Sequence, residues 1–293
     1  MNRIHRLIFT LLAIAMLTAC SQGDADRTLT VSIEPQRYLL EQIAGDKWQV
    51  NTVLEKGADP ENFDPPMSTM KKAMSSRLYF SMGTLPFEQA LIDRMNEGGE
   101  RVKTVDTSAG IRRLHGTHGS HGSHDGHNHH SAEDPHVWTS VGNSRLMARN
   151  MLNALIELDP DNSDYYTANF NRLDARLDSI DREIRTLLDP CQDATFVVWH
   201  PSLSYFAADY GLNQVAMGLE NKEVSPMQMK DNIDRARQLG ARVMIVQPDF
   251  DQNRSTELAR QIGATTLSVN LMSDSWIDDM LRTARAIAGQ PTE

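Results

Sequence analysis

"SDYYTANFNRLDARLDSIDREIRTLL", residues 163–188, is the stretch on which the architecture turns. Tyr166, Phe170, Leu173, Leu177, Ile180, Ile184 and Leu188 recur mostly at steps of three or four, the period of one apolar face on a helix. At 1.5 Å per residue such a helix runs about 40 Å, longer than a typical domain helix. Asp189–Pro190 ends it. The spacing predicts one continuous amphipathic helix joining whatever lies on its two sides.

Both sides alternate short β-rich runs with helical ones. Before the helix, "LTVSI" (29–33), "VNTVL" (50–54), "LYFSM" (78–82) and "RVKTVD" (101–106) read as strands. Helical patterns over 35–45, 68–77 and 86–98 separate them, and a helix over 140–160 stops at Pro160. After the long helix, "TFVVW" (195–199), "NQVAM" (213–217), "VMIVQ" (243–247) and "TTLSV" (265–269) read as strands. Helices are expected over 202–211, 225–240, 253–263 and 276–289, with Ser225 as N-cap and Pro226 in the first turn. This alternation predicts βαβ units. The fold class is therefore α/β: two lobes, each with a mostly parallel sheet flanked by helices, joined by one long rigid helix. Residues 28–160 form the first lobe, 161–190 the linking helix and 191–293 the second lobe. No internal repeat is strong enough to claim.

Residues 1–19 read as a signal peptide. Arg3 and Arg6 flank an apolar run from Leu7 to Leu17, too short to span a bilayer, which takes roughly 20 residues. "LTAC" places Cys20 directly after small residues, as in a bacterial lipoprotein signal, and residues 20–27 read as a lipidated polar tether. The folded part is then extracytoplasmic and lipid-anchored to a bacterial membrane, on the periplasmic side if that membrane is Gram-negative. Only Cys191 remains, so no intrachain disulfide and no cysteine-type zinc finger is possible.

Composition excludes other classes. A net charge of −10 argues against nucleic acid and against an anionic membrane surface as partners. Seven of the ten histidines crowd into a loop over 114–131: His115, His118, His121, His124, His127, His129 and His130. Glycine and serine fill most gaps. Neutral imidazoles are good zinc ligands, and spaced by small residues several can converge on one ion. Ordering such a chain costs about 1–2 kcal/mol per residue, so each grouping is weak and suits capture and hand-over rather than storage.

Open α/β sheets bind ligands at the carboxyl ends of their strands. His200 follows "TFVVW"; Asp59, Glu61 and Asp64 follow "VNTVL"; Asp274 follows "TTLSV"; His136 follows the histidine loop. Of these, Asp59 and Asp64 read as turn or cap residues. Glu220 and Glu223 read as structural, and Trp138, Trp199 and Tyr205 as packing around the site.

The same residues carry a resemblance. "GADPENFDP" (57–65), "DPHVWTS" (134–140), "VVWHPSLSYFAADYGL" (197–212) and "NKEVSPMQM" (221–229) occur in the order of four motifs of a known family. The chain resembles the solute-binding proteins of bacterial zinc and manganese ABC importers, the cluster A-I metal-binding group, from about residue 28 to 288. The resemblance implies His136 and His200 as metal ligands. Glu61 falls where most members have a histidine, making the site harder and more anionic. Asp274 completes a set of two imidazoles and two carboxylates, unless water takes that place because the loop is shorter than usual.

Two imidazoles and a histidine-rich loop favour zinc over manganese or ferrous iron. The expected protein is no enzyme but a monomeric zinc-binding lipoprotein serving an ABC permease with a separate cytoplasmic ATPase, since the chain carries no ATP-binding motif. The rival readings are a metal-buffering or adhesin lipoprotein and, further off, a zinc hydrolase, for which no H-E-x-x-H exists.

Overall fold

The computed structural model describes residues 27–54, 57–58, 60, 62–97, 102–115, 133–218, 224–248 and 252–292. The signal peptide, Cys20, Glu61, Asp59, Glu220, Glu223 and the loop histidines other than His115 lie outside the described residues.

Four parallel strands form the first sheet: β1 (Thr28–Val31), β2 (Gln49–Thr52), β3 (Leu78–Ser81) and β4 (Lys103–Asp106), in the order β2-β1-β3-β4. Helices α1 (Glu34–Ala44), α2 (Met67–Met74) and α3 (Pro86–Glu97) supply the crossovers. Next come α4 (Val141–Leu158) and the linking helix α5 (Ser163–Leu188), whose 26 residues coincide with the periodic stretch. The second sheet holds β5 (Thr195–Val198), β6 (Asn213–Ala216), β7 (Val243–Val246) and β8 (Thr265–Ser268), in the order β6-β5-β7-β8, all parallel. Its helices are α6 (Ser204–Tyr210), α7 (Pro226–Gln238), α8 (Gln252–Ile262) and α9 (Trp276–Ile287). Both sheets thus share one strand order, a repeat of architecture without a visible repeat of sequence.

Burial follows that order. The central strands β1, β3, β5 and β7 are buried along their whole length, while β2, β4, β6 and β8 at the edges are partly exposed. A strand covered on both faces reads as a continuous apolar run, which is why "LYFS", "TFVV" and "VMIV" are legible as strands.

Alternation within the strands divides the core. Phe196 and Val198 of β5 and Val243 and Ile245 of β7 belong to a cluster that includes Leu29, Tyr166, Leu177 and Trp276. Val197, Met244 and Val246 face the other way, into a second cluster with Ile233 of α7 and Leu258 of α8. The larger cluster therefore runs from the first lobe, past α5 and α9, into the second.

Local chemistry sets the ends. Ser225 Oγ accepts from Gln228 N at 3.3 Å and Gln228 Oε1 accepts from Ser225 N at 3.2 Å, a reciprocal cap on α7. Ser140 caps α4 by accepting from Asn143 N at 3.0 Å. Asp64 is exposed, and the N-cap of α2 is Pro66 instead. Cys191 is only partly buried, in the turn that closes α5. Among the described residues, no helix is long and apolar enough to cross a membrane.

Candidate metal centre

His136 opens a single 3-10 turn, Val137–Thr139, leading into α4. Its backbone N–H donates to Asp134 Oδ1 at 2.9 Å, an aspartate turn that reaches two residues along its own chain. Nδ1 of the ring meets the same oxygen at 2.8 Å. Both side chains are nearly sealed, 4% exposed for His136 and 2% for Asp134. Burial alone would push the Asp134 carboxyl up; hydrogen bonds from His136, and more weakly from Ser204, hold it below the usual carboxylate range. An ionised carboxylate only accepts, so Nδ1 carries a proton, and in the neutral ring the lone pair is then on Nε2.

That lone pair faces the second lobe. His200 lies in the turn after β5, at the point where strand order reverses between β5's neighbours. His200 Nε2 sits 3.1 Å from His136 Nε2, with the ring centroids 4.9 Å apart and the planes at 71°. With both rings neutral, one Nε2 donates and the other accepts across that gap. Two nitrogens on one tetrahedral zinc, each at about 2.0–2.1 Å, lie about 3.3 Å apart. The observed separation is within a few tenths of that value.

Contacts from three segments hold residues 134–140. Thr84 Oγ1, in the turn between β3 and α3, donates to Pro135 O at 2.9 Å. Gly83 holds a positive φ of 74° there, and a Cβ on it would stand 2.5 Å from Asp106 Oδ1. Tyr205 of α6 donates its hydroxyl to Asp134 O at 3.0 Å. Trp138 Nε1 donates to Leu271 O at 3.0 Å, in the turn before α9. Ser140 Oγ donates to Asp209 Oδ2 at 2.5 Å. The Trp138 ring lies 5.2 Å from His136, and Arg254 stacks 4.8 Å over Trp199.

The other expected ligands fall differently. Glu61 is outside the described residues; nearby Phe63 packs edge-on against Phe87 at 5.4 Å. Asp274 is exposed, in the turn between β8 and α9. Arg37 is held above its ordinary range, chiefly by its hydrogen bond to Glu34 and least by the charge of Asp274. Among the described residues, no three His, Cys, Asp or Glu side chains cluster as a metal site. His115 forms an isolated antiparallel bridge with Glu133.

Asp134 belongs to "DPHVW", yet the sequence alone assigns it no role. The signal is present: an aspartate two residues before a histidine can bond both that residue's amide and its ring. Nothing in the sequence signals the Tyr205 bond to its carbonyl.

Fold and site together define a two-lobed α/β binding protein with one imidazole from each half of the chain meeting at the strand-end face. The chain belongs to the ZnuA family, the periplasmic component A of the zinc-uptake complex, whose sequence model matches residues 29–289. A putative metal-binding protein of Chlamydia trachomatis is 28% identical, over 97% of this chain and 99% of its own length. The high-affinity zinc uptake system protein ZnuA of Bacillus subtilis is 27% identical, over 87% of this chain and 81% of its own. The manganese ABC transporter substrate-binding lipoprotein PsaA of Streptococcus anginosus is 25% identical, over 86% and 84%. A crystal structure of ZnuA superposes with a TM-score of 0.80, at 29% identity, covering 90% of this chain and 99% of that one.

Proposed function

We propose that this chain captures zinc between His136 and His200, outside the cytoplasm, and delivers it to an ABC permease driven by a separate ATPase. Membership of the family carries the coarser statement: a metal-binding, substrate-binding protein of an ABC importer, and not an enzyme. The observation behind the site assignment is the 3.1 Å approach of the two Nε2 atoms, with Asp134 already fixing the tautomer of one. Glu61 and Asp274 are proposed to complete the shell, with water replacing Asp274 where that carboxylate stays at the surface.

The choice of zinc follows from the donors. Imidazole suits zinc, and carboxylate suits manganese. The manganese lipoproteins among the relatives and the carboxylate at Glu61 keep manganese as the second reading. His118, His121, His124, His127, His129 and His130, with His115, act as a weak capture loop feeding the site. Cys20 carries the lipid anchor.

Anomalous scattering at the zinc edge, from crystals grown without added metal, tests ion and ligands together. The expected peak lies between His136 and His200. Solution measurements add the functional arm: His136→Ala with His200→Ala, in protein lacking residues 116–132, should lose zinc affinity by a factor on the order of 100 or more. Undiminished stoichiometric binding by that double variant overturns the site. Cells lacking the protein should grow poorly in zinc-depleted medium and recover with added zinc.

A further inference from the structure

The chain entering residue 116 and the chain leaving residue 132 are pinned together by one side chain from the second lobe. Asp134 N donates to Leu114 O at 2.8 Å. Leu114 N donates to the Tyr205 hydroxyl at 3.1 Å, and that hydroxyl donates onward to Asp134 O at 3.0 Å. Tyr205 is 3% exposed, in the first turn of α6. The helix that follows His200 therefore grips Asp134 at its carbonyl. Asp134 in turn orients His136.

We propose that Tyr205 is a positioning residue for metal retention: its hydroxyl, bridging Leu114 N–H and Asp134 C=O, keeps the Asp134 carboxylate on Nδ1 of His136. The metal-binding lone pair of the first-lobe histidine thereby depends on docking of the second lobe. Separating the lobes then weakens the site twice. It withdraws His200, and it frees Asp134 so that His136 no longer keeps one tautomer. Partners behind metal-ligating histidines typically govern about 10–100-fold in affinity, so the second effect is large enough to matter for release. The inference rests on His136 being a ligand.

The test is Tyr205→Phe, which keeps the ring and removes the hydroxyl. In metal-free protein, long-range 1H–15N spectra of the His136 ring should change from a single Nδ1–H tautomer to a mixture. Zinc release into excess chelator should quicken about tenfold. In an Asp134→Asn background, adding Tyr205→Phe should change the release rate no further. Unchanged ring shifts together with a release rate within about twofold of the unsubstituted protein overturn the proposal; so does a multiplicative effect in the double variant. Tyr205→Met, which also lacks the hydroxyl, provides the same readouts should Tyr205→Phe fail to fold. If His136→Ala leaves zinc binding intact, the ligand assignment fails, while the metal-free ring shifts still decide whether Tyr205 holds Asp134.

Discussion

Glu88 is a closely confined carboxylate, 3% exposed at the start of α3. Its Oε1 accepts from Met82 N at 2.5 Å and from the Ser32 hydroxyl; Oε2 accepts from Gly83 N at 2.8 Å and Leu85 N at 3.3 Å. One carboxylate thus shapes the turn whose Thr84 holds Pro135. Burial pushes the Glu88 carboxyl above its ordinary 4.5, against the pull of those hydrogen bonds. The sign follows from linkage: a carboxyl raised in the folded state adds stability below about 4.5, and that contribution fades as pH climbs through the raised value. Glu88→Gln removes the titration and turns an amide N–H toward backbone donors. Leaving such donors unpaired costs about 1–3 kcal/mol. Urea unfolding should therefore find the variant less stable by that order at about pH 4, with the gap narrowing as pH rises toward neutrality. A gap that widens over the same range contradicts the assignment. Beside it, His136 and His200 show what one chain position can and cannot reveal. His200 is legible as a histidine at a strand end and His136 as one just after the histidine loop, but their approach is a contact across 64 residues. Only the motif resemblance points to it.

At the scale of elements, sequence and structure agree where periodicity is long. Helix α5 is delimited to the residue because seven apolar positions fix its face. Strand ends shift by one or two residues, since pairing, not the run itself, decides where a ladder stops. The shared order β2-β1-β3-β4 and β6-β5-β7-β8 is invisible in the sequence, because which buried run pairs with which is a tertiary choice. The cap on α7 is legible, and it gives a clean prediction. Ser225→Ala removes the hydroxyl that accepts from Gln228 N, leaving the bond from the residue 225 backbone N–H to Gln228 Oε1, and should cost about 1 kcal/mol in thermal or denaturant unfolding. No change in midpoint would mean that the cap is idle. Removing residues 116–132 and joining the strands at the neck tests the capture loop as an element. One tight zinc equivalent should remain in titration calorimetry while the weaker equivalents disappear. Loss of the tight equivalent would place it in the loop instead of the cleft.

The whole molecule behaves as its core dictates. A periplasmic binding protein with two independent cores hinged by loops can swing open. Here one apolar cluster spans both lobes, carrying Leu29, Tyr166, Phe196 and Trp276 together. The tie of Trp138 Nε1 to Leu271 O reaches across 133 residues, and Asn169 of α5 donates to Ile43 O of α1 at 2.9 Å. Opening wide would expose this apolar surface at about 25 cal/mol per Å² and break buried polar bonds as well. At the proposed site, ion entry and exit then need only a small tilt, enough to separate a pair of imidazoles that stand 3.1 Å from each other. Small-angle scattering should accordingly give metal-free and zinc-loaded protein the same radius of gyration, about 18–19 Å for a compact chain of this size. Denaturation followed by far-UV circular dichroism and by tryptophan fluorescence should yield one coincident transition, because neither lobe can melt without uncovering the other. Zinc at about a thousand times its dissociation constant should raise stability by about 4 kcal/mol without splitting that transition. Two distinct transitions, or a loaded form measurably smaller than the metal-free one, would mean that the lobes hinge freely and that the shared core does not govern release.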